Sequence, residues 1–258
     1  MSQLEDGISD VLNKAIRGLG RSLSEVAQAL GMDEGRLQHV LNGDWDDVLL
    51  GKLSTMLDLD TQALIGLPLY QPDVSEVIGL KRIIMPYRAW SVNTWLLEYE
   101  GASLLFDTGW NRADILSELN GLRPDVVFLT HAHEDHVGGV EALQALGMKI
   151  ISESEALQIG EFQFGKIRIQ VLDLSGHCVP TASYWITGFK KSLWVVGDAI
   201  FAGSMGGCKS PENFTMAAAT LRKGFEQLDD DCLILPGHGP MTSVGLEKAS
   251  NPFRKHFA

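Results

Sequence analysis

The sequence predicts a layered α/β domain over residues 71–258, preceded by a small all-α domain over residues 1–70. Two observations carry this. Only two of the 20 aromatic residues, Trp45 and Tyr70, fall in the first 70 positions, where apolar residues recur at helical spacing. From about residue 80, short runs rich in β-branched and aromatic residues alternate with helical patterns, the texture of strands and helices sharing one domain. The composition changes between Pro68 and Pro72.

In the first segment Ile8, Val11, Leu12, Ala15, Ile16 and Leu19 make one helical stripe. Ser22 with Glu25 is a capping-box pair opening a helix that carries Val26, Ala27, Ala29 and Leu30 and ends at Gly31. Asp33 can cap the next, with Leu37, Val40 and Leu41 running up to Gly43. Short helices around a glycine-containing turn form a helix-turn-helix-like arrangement, similar to the small helical domains of phage repressors. In the second segment strands are expected over 82–85, 92–99, 103–106, 125–130, 167–172, 183–187, 192–196 and 232–235. Helices are expected over 111–120, 139–146 and 212–228.

Charge narrows the partners. The chain holds 33 acidic and 21 basic side chains, a formal net charge of −12. Residues 1–70 carry 11 acidic and 5 basic side chains, so half of the excess sits in the helical segment. Binding to nucleic acid or to an anionic membrane needs clustered Lys and Arg, which argues against both; the helices read instead as a packing or homo-oligomerisation module. No apolar run is long enough for a membrane span, and the acidic N-terminus does not read as a signal peptide. Cys178, Cys208 and Cys232 are odd in number and far apart, so no disulfide framework is expected, and the cytoplasm is the simplest location.

Five histidines sit where strands end. The densest motif, HAHEDH at residues 131–136, follows the apolar run 126–129. In extended chain His131 and His133 point the same way and can reach one ion; a turn then lets Asp135 and His136 face a second. His177, Asp198 and His238 each follow an apolar strand and a glycine. Strands that finish at one sheet edge would bring these groups together around a small-molecule substrate. Imidazole and carboxylate suit zinc, and also iron or manganese. His39 and His256 have no such context and are expected to be solvated.

Taken in order along the chain, these motifs resemble those of the metallo-β-lactamase superfamily, whose signature is His-X-His-X-Asp-His followed by separated His, Asp and His. The resemblance implies a four-layer αββα sandwich. It also implies two divalent metal ions, one held by His131, His133 and His177, the other by Asp135, His136 and His238, with Asp198 between them. A hydroxide bridging the ions would be the nucleophile, with Asp135 orienting it and shuttling its proton. Asp107, in the segment LLFDTG at 104–109, is similar to a recurrent Asp that supports a ligating side chain from behind. Cys208 stands ten residues past Asp198; true β-lactamases of the superfamily use Cys where this chain has Asp198, which speaks against that activity.

Within the superfamily, GDAIFAGSMG (197–206), LPGHGP (235–240) and the stretch 242–253 resemble the short hydroxyacylglutathione hydrolase, or glyoxalase II, branch. That resemblance implies hydrolysis of a thioester or of a related ester or lactone. Two features depart from it. Gly207 stands where members usually have Arg, and a glutathione-gripping C-terminal helical extension has no counterpart beyond Phe253. Lys209, Lys248, Arg254 and Lys255 remain as candidate contacts for an acidic substrate. Two other readings share these residues: a mononuclear iron enzyme resembling persulfide dioxygenases, and a metal-domain regulator whose N-terminal helices bind DNA or protein.

Overall fold

The computed structural model describes residues 4–257. The N-terminal segment is helical: α1 (Ile8–Gly18), α2 (Leu23–Leu30), α3 (Glu34–Leu41), α4 (Asp47–Met56) and α5 (Thr61–Gly66). The helix starts follow side-chain chemistry. The Ser22 hydroxyl accepts from the Glu25 N–H at 3.2 Å and the Glu25 carboxylate accepts from the Ser22 N–H at 2.8 Å. Asp33, Asp46 and Asp60 cap the three following helices in the same manner. Gly31 closes α2 in the left-handed region, φ 69°. On α3, Arg36 is ion-paired with Asp44 and His39 is exposed.

The remainder is built on two sheets. Strands β1 (Leu80–Tyr87), β2 (Trp90–Tyr99) and β3 (Ala102–Phe106) form an antiparallel meander. After α6 (Arg112–Leu119), β4 (Val126–Phe128) adds parallel to β3. After α7 (Glu134–Val137) and α8 (Val140–Ala145), β5 (Ile150–Ile151) adds parallel to β4. Helix α9 (Glu153–Ile159) leads into the second sheet, where β6 (Glu161–Phe164), β7 (Ile167–Asp173), β8 (Ala182–Thr187) and β9 (Leu193–Gly197) pair antiparallel in turn. A two-rung hairpin, β10 (Ile200–Phe201) and β11 (Ser204–Met205), precedes the long helix α10 (Pro211–Gln227). Strand β12 (Leu233–Pro236) then lies parallel to β9 and antiparallel to β13 (Thr242–Ser243), ahead of α11 (Val244–Ser250) and α12 (Arg254–Phe257).

Strand alternation explains why these runs are apolar throughout. Trp95, Leu97, Leu104, Phe106 and Phe128 of the first sheet meet Ile169, Tyr184, Val195 and Leu235 of the second. Their neighbours Leu96, Leu105 and Val127 pack outward on Ile115 and Leu119 of α6 and Leu143 of α8. On the other side Trp194, Val196 and Ile234 pack on Phe214, Leu221 and Phe225 of α10. Two sheets thus lie between two helical layers, and strands buried on both faces carry continuous apolar sequence.

The N-terminal helices join the outer layer beside α10. Val11, Leu12 and Ala15 of α1 share one core with Phe214, Ala217 and Leu221, and a Cβ on Gly18 would come 2.4 Å from the Phe214 ring. The chain's C-terminal residues fold back onto the same layer. Arg254 donates to Asp60 at 3.0 and 2.7 Å, and Lys255 donates to the Leu59 carbonyl at 2.7 Å. His256 is not solvated as expected, because α12 lays its ring on Phe214, centroids 5.1 Å apart. No helix among the described residues is long and apolar enough to cross a membrane.

Candidate metal centre

Strands β3, β4, β7, β9 and β12 deliver their C-terminal ends to one edge of the sandwich, and each contributes to the cluster. Asp107 follows β3, His131 and His133 follow β4, His177 lies in the loop after β7, Asp198 follows β9 and His238 follows β12. Asp135 and His136 ride on α7, so the turn expected after His133 is one helical turn. All seven candidate ligands converge in two sets, His131, His133, His177 and Asp198 in one and Asp135, His136 and His238 in the other.

In the first set His133 Nδ1 lies 3.0 Å from His131 Nε2 and 3.1 Å from His177 Nε2. Asp198 Oδ2 lies 3.9 and 3.7 Å from the same two Nε2 atoms. Tetrahedral ligands 2.0–2.2 Å from a zinc ion stand about 3.3–3.6 Å apart, so the set is sized for one ion. In the second set His238 Nε2 is 3.3 Å from Asp135 Oδ2, and His136 Nε2 is 4.0 Å from that oxygen. Asp198 reaches here too, with Oδ1 at 3.3 Å from His136 Nε2 and Oδ2 at 3.4 Å from His238 Nε2.

Two further features fit a cation. His136 Nε2 and Asp198 Oδ1 are buried without a well-aligned hydrogen-bond partner among the described residues, an arrangement that costs free energy unless a ligand completes it. A Cβ on Gly237 would lie 2.2 Å from Asp198 Oδ1 and 2.6 Å from His136 Cε1, so a bare glycine is what keeps the space between them open.

The electrostatics point the same way. Burial pushes His131 well below the ordinary imidazole range, and burial also lowers His177, so both are neutral donors of a lone pair. Burial opposes charge on His136 and His238 as well, but Asp198 overrides it in both. With Asp107 it carries His136 up to about 10, and with Asp135 it carries His238 up to about 11. Burial likewise works against ionised Asp198, yet His238 and His136 hold it well below the usual carboxylate range. The carboxylates claim positive charge at this spot, whether from protons or from a metal.

Three of the rings are fixed from behind. His136 Nδ1 donates to Asp107 Oδ2 at 2.8 Å, His177 Nδ1 to the Gly207 carbonyl at 2.7 Å and His238 Nδ1 to the Ser91 carbonyl at 2.7 Å. Asp107 has φ 62° and also accepts from the Thr130 N–H and hydroxyl, each at 2.8 Å. Cys208 is buried outside the cluster, its Sγ 3.7 Å from the Gly206 carbonyl oxygen. Of the cations considered for an acidic substrate, Lys248 pairs with Asp230 at 2.8 Å, and Arg254 and Lys255 bind the N-terminal segment; none of them lines the cavity over the cluster. Residue patterns pick up the ligands and miss Asn93, a buried amide in β2 that donates to the Pro236 and Gly239 carbonyls at 2.9 Å each and so braces the loop carrying His238. A polar side chain inside an apolar strand is the only sign it leaves in the sequence.

A profile of the metallo-beta-lactamase superfamily matches residues 87–155. The hydroxyacylglutathione hydrolase GloC of Haemophilus influenzae is 27% identical over 210 residues, spanning 66% of this chain and 96% of its own. Among solved structures, the BLEG-1 B3 metallo-beta-lactamase superposes with a TM-score of 0.57 at 22% identity, covering 68% of this chain and 99% of that one. TTHA1623, solved in a di-iron-bound form, superposes with a TM-score of 0.52 at 26% identity, covering 66% and 98%.

Proposed function

We propose, for a chain that carries a metallo-β-lactamase superfamily domain, that it is a dinuclear metallohydrolase of thioesters or of related esters and lactones, with zinc as its metal. The observation that supports this most is Asp198, whose two carboxylate oxygens face both ligand sets and can join two ions in one centre. The resemblance to a hydroxyacylglutathione hydrolase supports the acyl-transfer chemistry, and the di-iron relative supports the two-ion reading. His131, His133 and His177 would hold one ion, Asp135, His136 and His238 the other. Ions bound there supply Lewis acidity and an acidified water.

The protein's own groups do the rest. Asp135 keeps a side-chain exposure of 13%, against 0% for His136, so its carboxylate joins the cluster without being sealed from solvent. Burial opposes its ionisation, but the hydrogen bond from His238 leaves its pKa below the ordinary value, so at neutral pH it is an acceptor able to orient a water and take its proton. Asp107 keeps the His136 proton on Nδ1 and its lone pair on Nε2, and the Gly207 and Ser91 carbonyls do the same for His177 and His238. The zinc-loaded protein assayed against thioester, lactone, phosphodiester and persulfide substrates tests the reading. Turnover of the acyl substrates supports it; thiol-dependent oxygen uptake without acyl hydrolysis would overturn it.

A further inference from the structure

The cavity over the cluster has a wall that none of the ligand strands supplies. Its volume is about 330 Å³, and beside His177, Asp198 and His238 it is lined by Glu5, Lys14 and Trp90. A groove of about 1030 Å³ between the N-terminal segment and the β1–β2 turn continues from it and shares Glu5 and Trp90. The segment before α1 therefore stands over the candidate active site.

That wall is fixed in place. A Cβ on Gly239, which has φ 68°, would come within 3.1 Å of the Glu5 backbone nitrogen, so the chain packs directly on the loop that carries His238. Lys14 pairs with Asp6 of the segment before α1 and ties α1 to the domain through the Met205 carbonyl at 2.9 Å and by lying 4.9 Å from the Phe201 ring centroid. Its ammonium group is thereby used, while Arg17 also lines the cavity but is exposed to solvent, and Asp6 and Asp10 on the same wall keep the N-terminal side net acidic.

Glu5 lies at ion-pair distance from His238 but accepts no hydrogen bond among the described residues. Its side chain is 18% exposed, and its Oε1 stands 3.9 Å from His238 Nδ1. That ring proton already goes to the Ser91 carbonyl at 2.7 Å, so Glu5 does not orient the histidine. No donor among the described residues reaches its carboxylate within hydrogen-bond distance. Across the same cavity Trp90 is 59% exposed at the β1–β2 turn. A half-buried carboxylate without a donor beside an uncovered indole is the chemistry that holds an alkylammonium group, by charge on one side and by the ring face on the other.

We infer that Glu5 and Trp90 form the specificity wall of the site and select acyl substrates that carry a cationic ammonium group, disfavouring anionic thiols such as glutathione. This rests on the hydrolase reading above. The test compares acetylthiocholine with its uncharged isostere 3,3-dimethylbutyl thioacetate on the zinc-loaded full chain. The wild type should prefer the cation by about tenfold in kcat/KM, the size of one good ion or cation–π contact. Glu5→Gln should bring the ratio near one and raise relative turnover of S-lactoylglutathione, with metal content unchanged. Calorimetric titration with choline and with 3,3-dimethylbutan-1-ol reads the same wall without catalysis. If no thioester is turned over, the hydrolase reading fails, and the choline preference and its loss in Glu5→Gln still decide this inference. Equal handling of cation and isostere by the wild type, or a preference that survives Glu5→Gln, overturns it.

Discussion

The Nδ1 of His136 donates to Asp107 Oδ2 at 2.8 Å, and the two residues come from different parallel strands of the first sheet, one at the end of β3 and one beyond β4. This bond sets which nitrogen of a fully buried ring faces Asp198. Asp107→Asn keeps a residue type that tolerates φ near 62° but removes the charge behind the ring. Metal affinity should fall by about 10–100-fold, the usual cost of losing such a partner. Competition with a chromophoric chelator measures it, and an unchanged affinity would contradict the role given to Asp107.

Gly237→Ala places a methyl group 2.2 Å from Asp198 Oδ1. We expect far-UV circular dichroism to stay native while bound metal drops well below the wild-type level. Full metal content in this variant would show that the space beside Asp198 is not where an ion sits.

Metal-free protein should have a defined pH dependence. The folded pKa values of His136 and His238 are raised to about 10 and about 11 by neighbouring carboxylates. A raised histidine pKa contributes stability that is fully present below the unfolded value of about 6.5 and is lost as pH climbs through the folded one. In chelator, the unfolding midpoint should fall between about pH 7 and about pH 9.5, and saturating zinc should blunt that fall because ligation replaces the protons. A midpoint that stays flat in chelator would sink this account of the cluster's electrostatics.

The N-terminal helices should unfold with the rest of the chain. Leu12 is fully buried in a core shared with α10, so Leu12→Ala should cost about 2–5 kcal/mol and lower a single transition. A chain of residues 71–258 would expose Phe214 and Leu221, and we expect it to aggregate or to lose cooperative unfolding. Native-like melting of that fragment would instead make the helical segment a separable unit.

What was legible in the sequence follows from the range of the interactions. Helical stripes and caps are local, so Ile8 to Gly43 read correctly from spacing alone, and strands with both faces buried announce themselves as apolar runs. The candidate ligands are legible because each follows such a run, often through a glycine, as at Gly197 and Gly237. Strand β5 and edge strand β6 left weaker signals, since β5 is two residues long and β6 alternates without a buried position. Asn93, Ser91 and Glu5 were beyond reach. Their partners lie more than 140 positions away in sequence, and only closure of the sandwich brings them to His238.

Asp198 is proposed to join two ions in one hydrolytic centre, and metal analysis tests this most directly. Protein purified without added metal and then reconstituted should hold about two divalent ions per chain and hydrolyse a thioester. His131→Ala combined with His133→Ala should lose bound metal and turnover together. One iron per chain with thiol-dependent oxygen uptake, or full metal retention in the double variant, would contradict it.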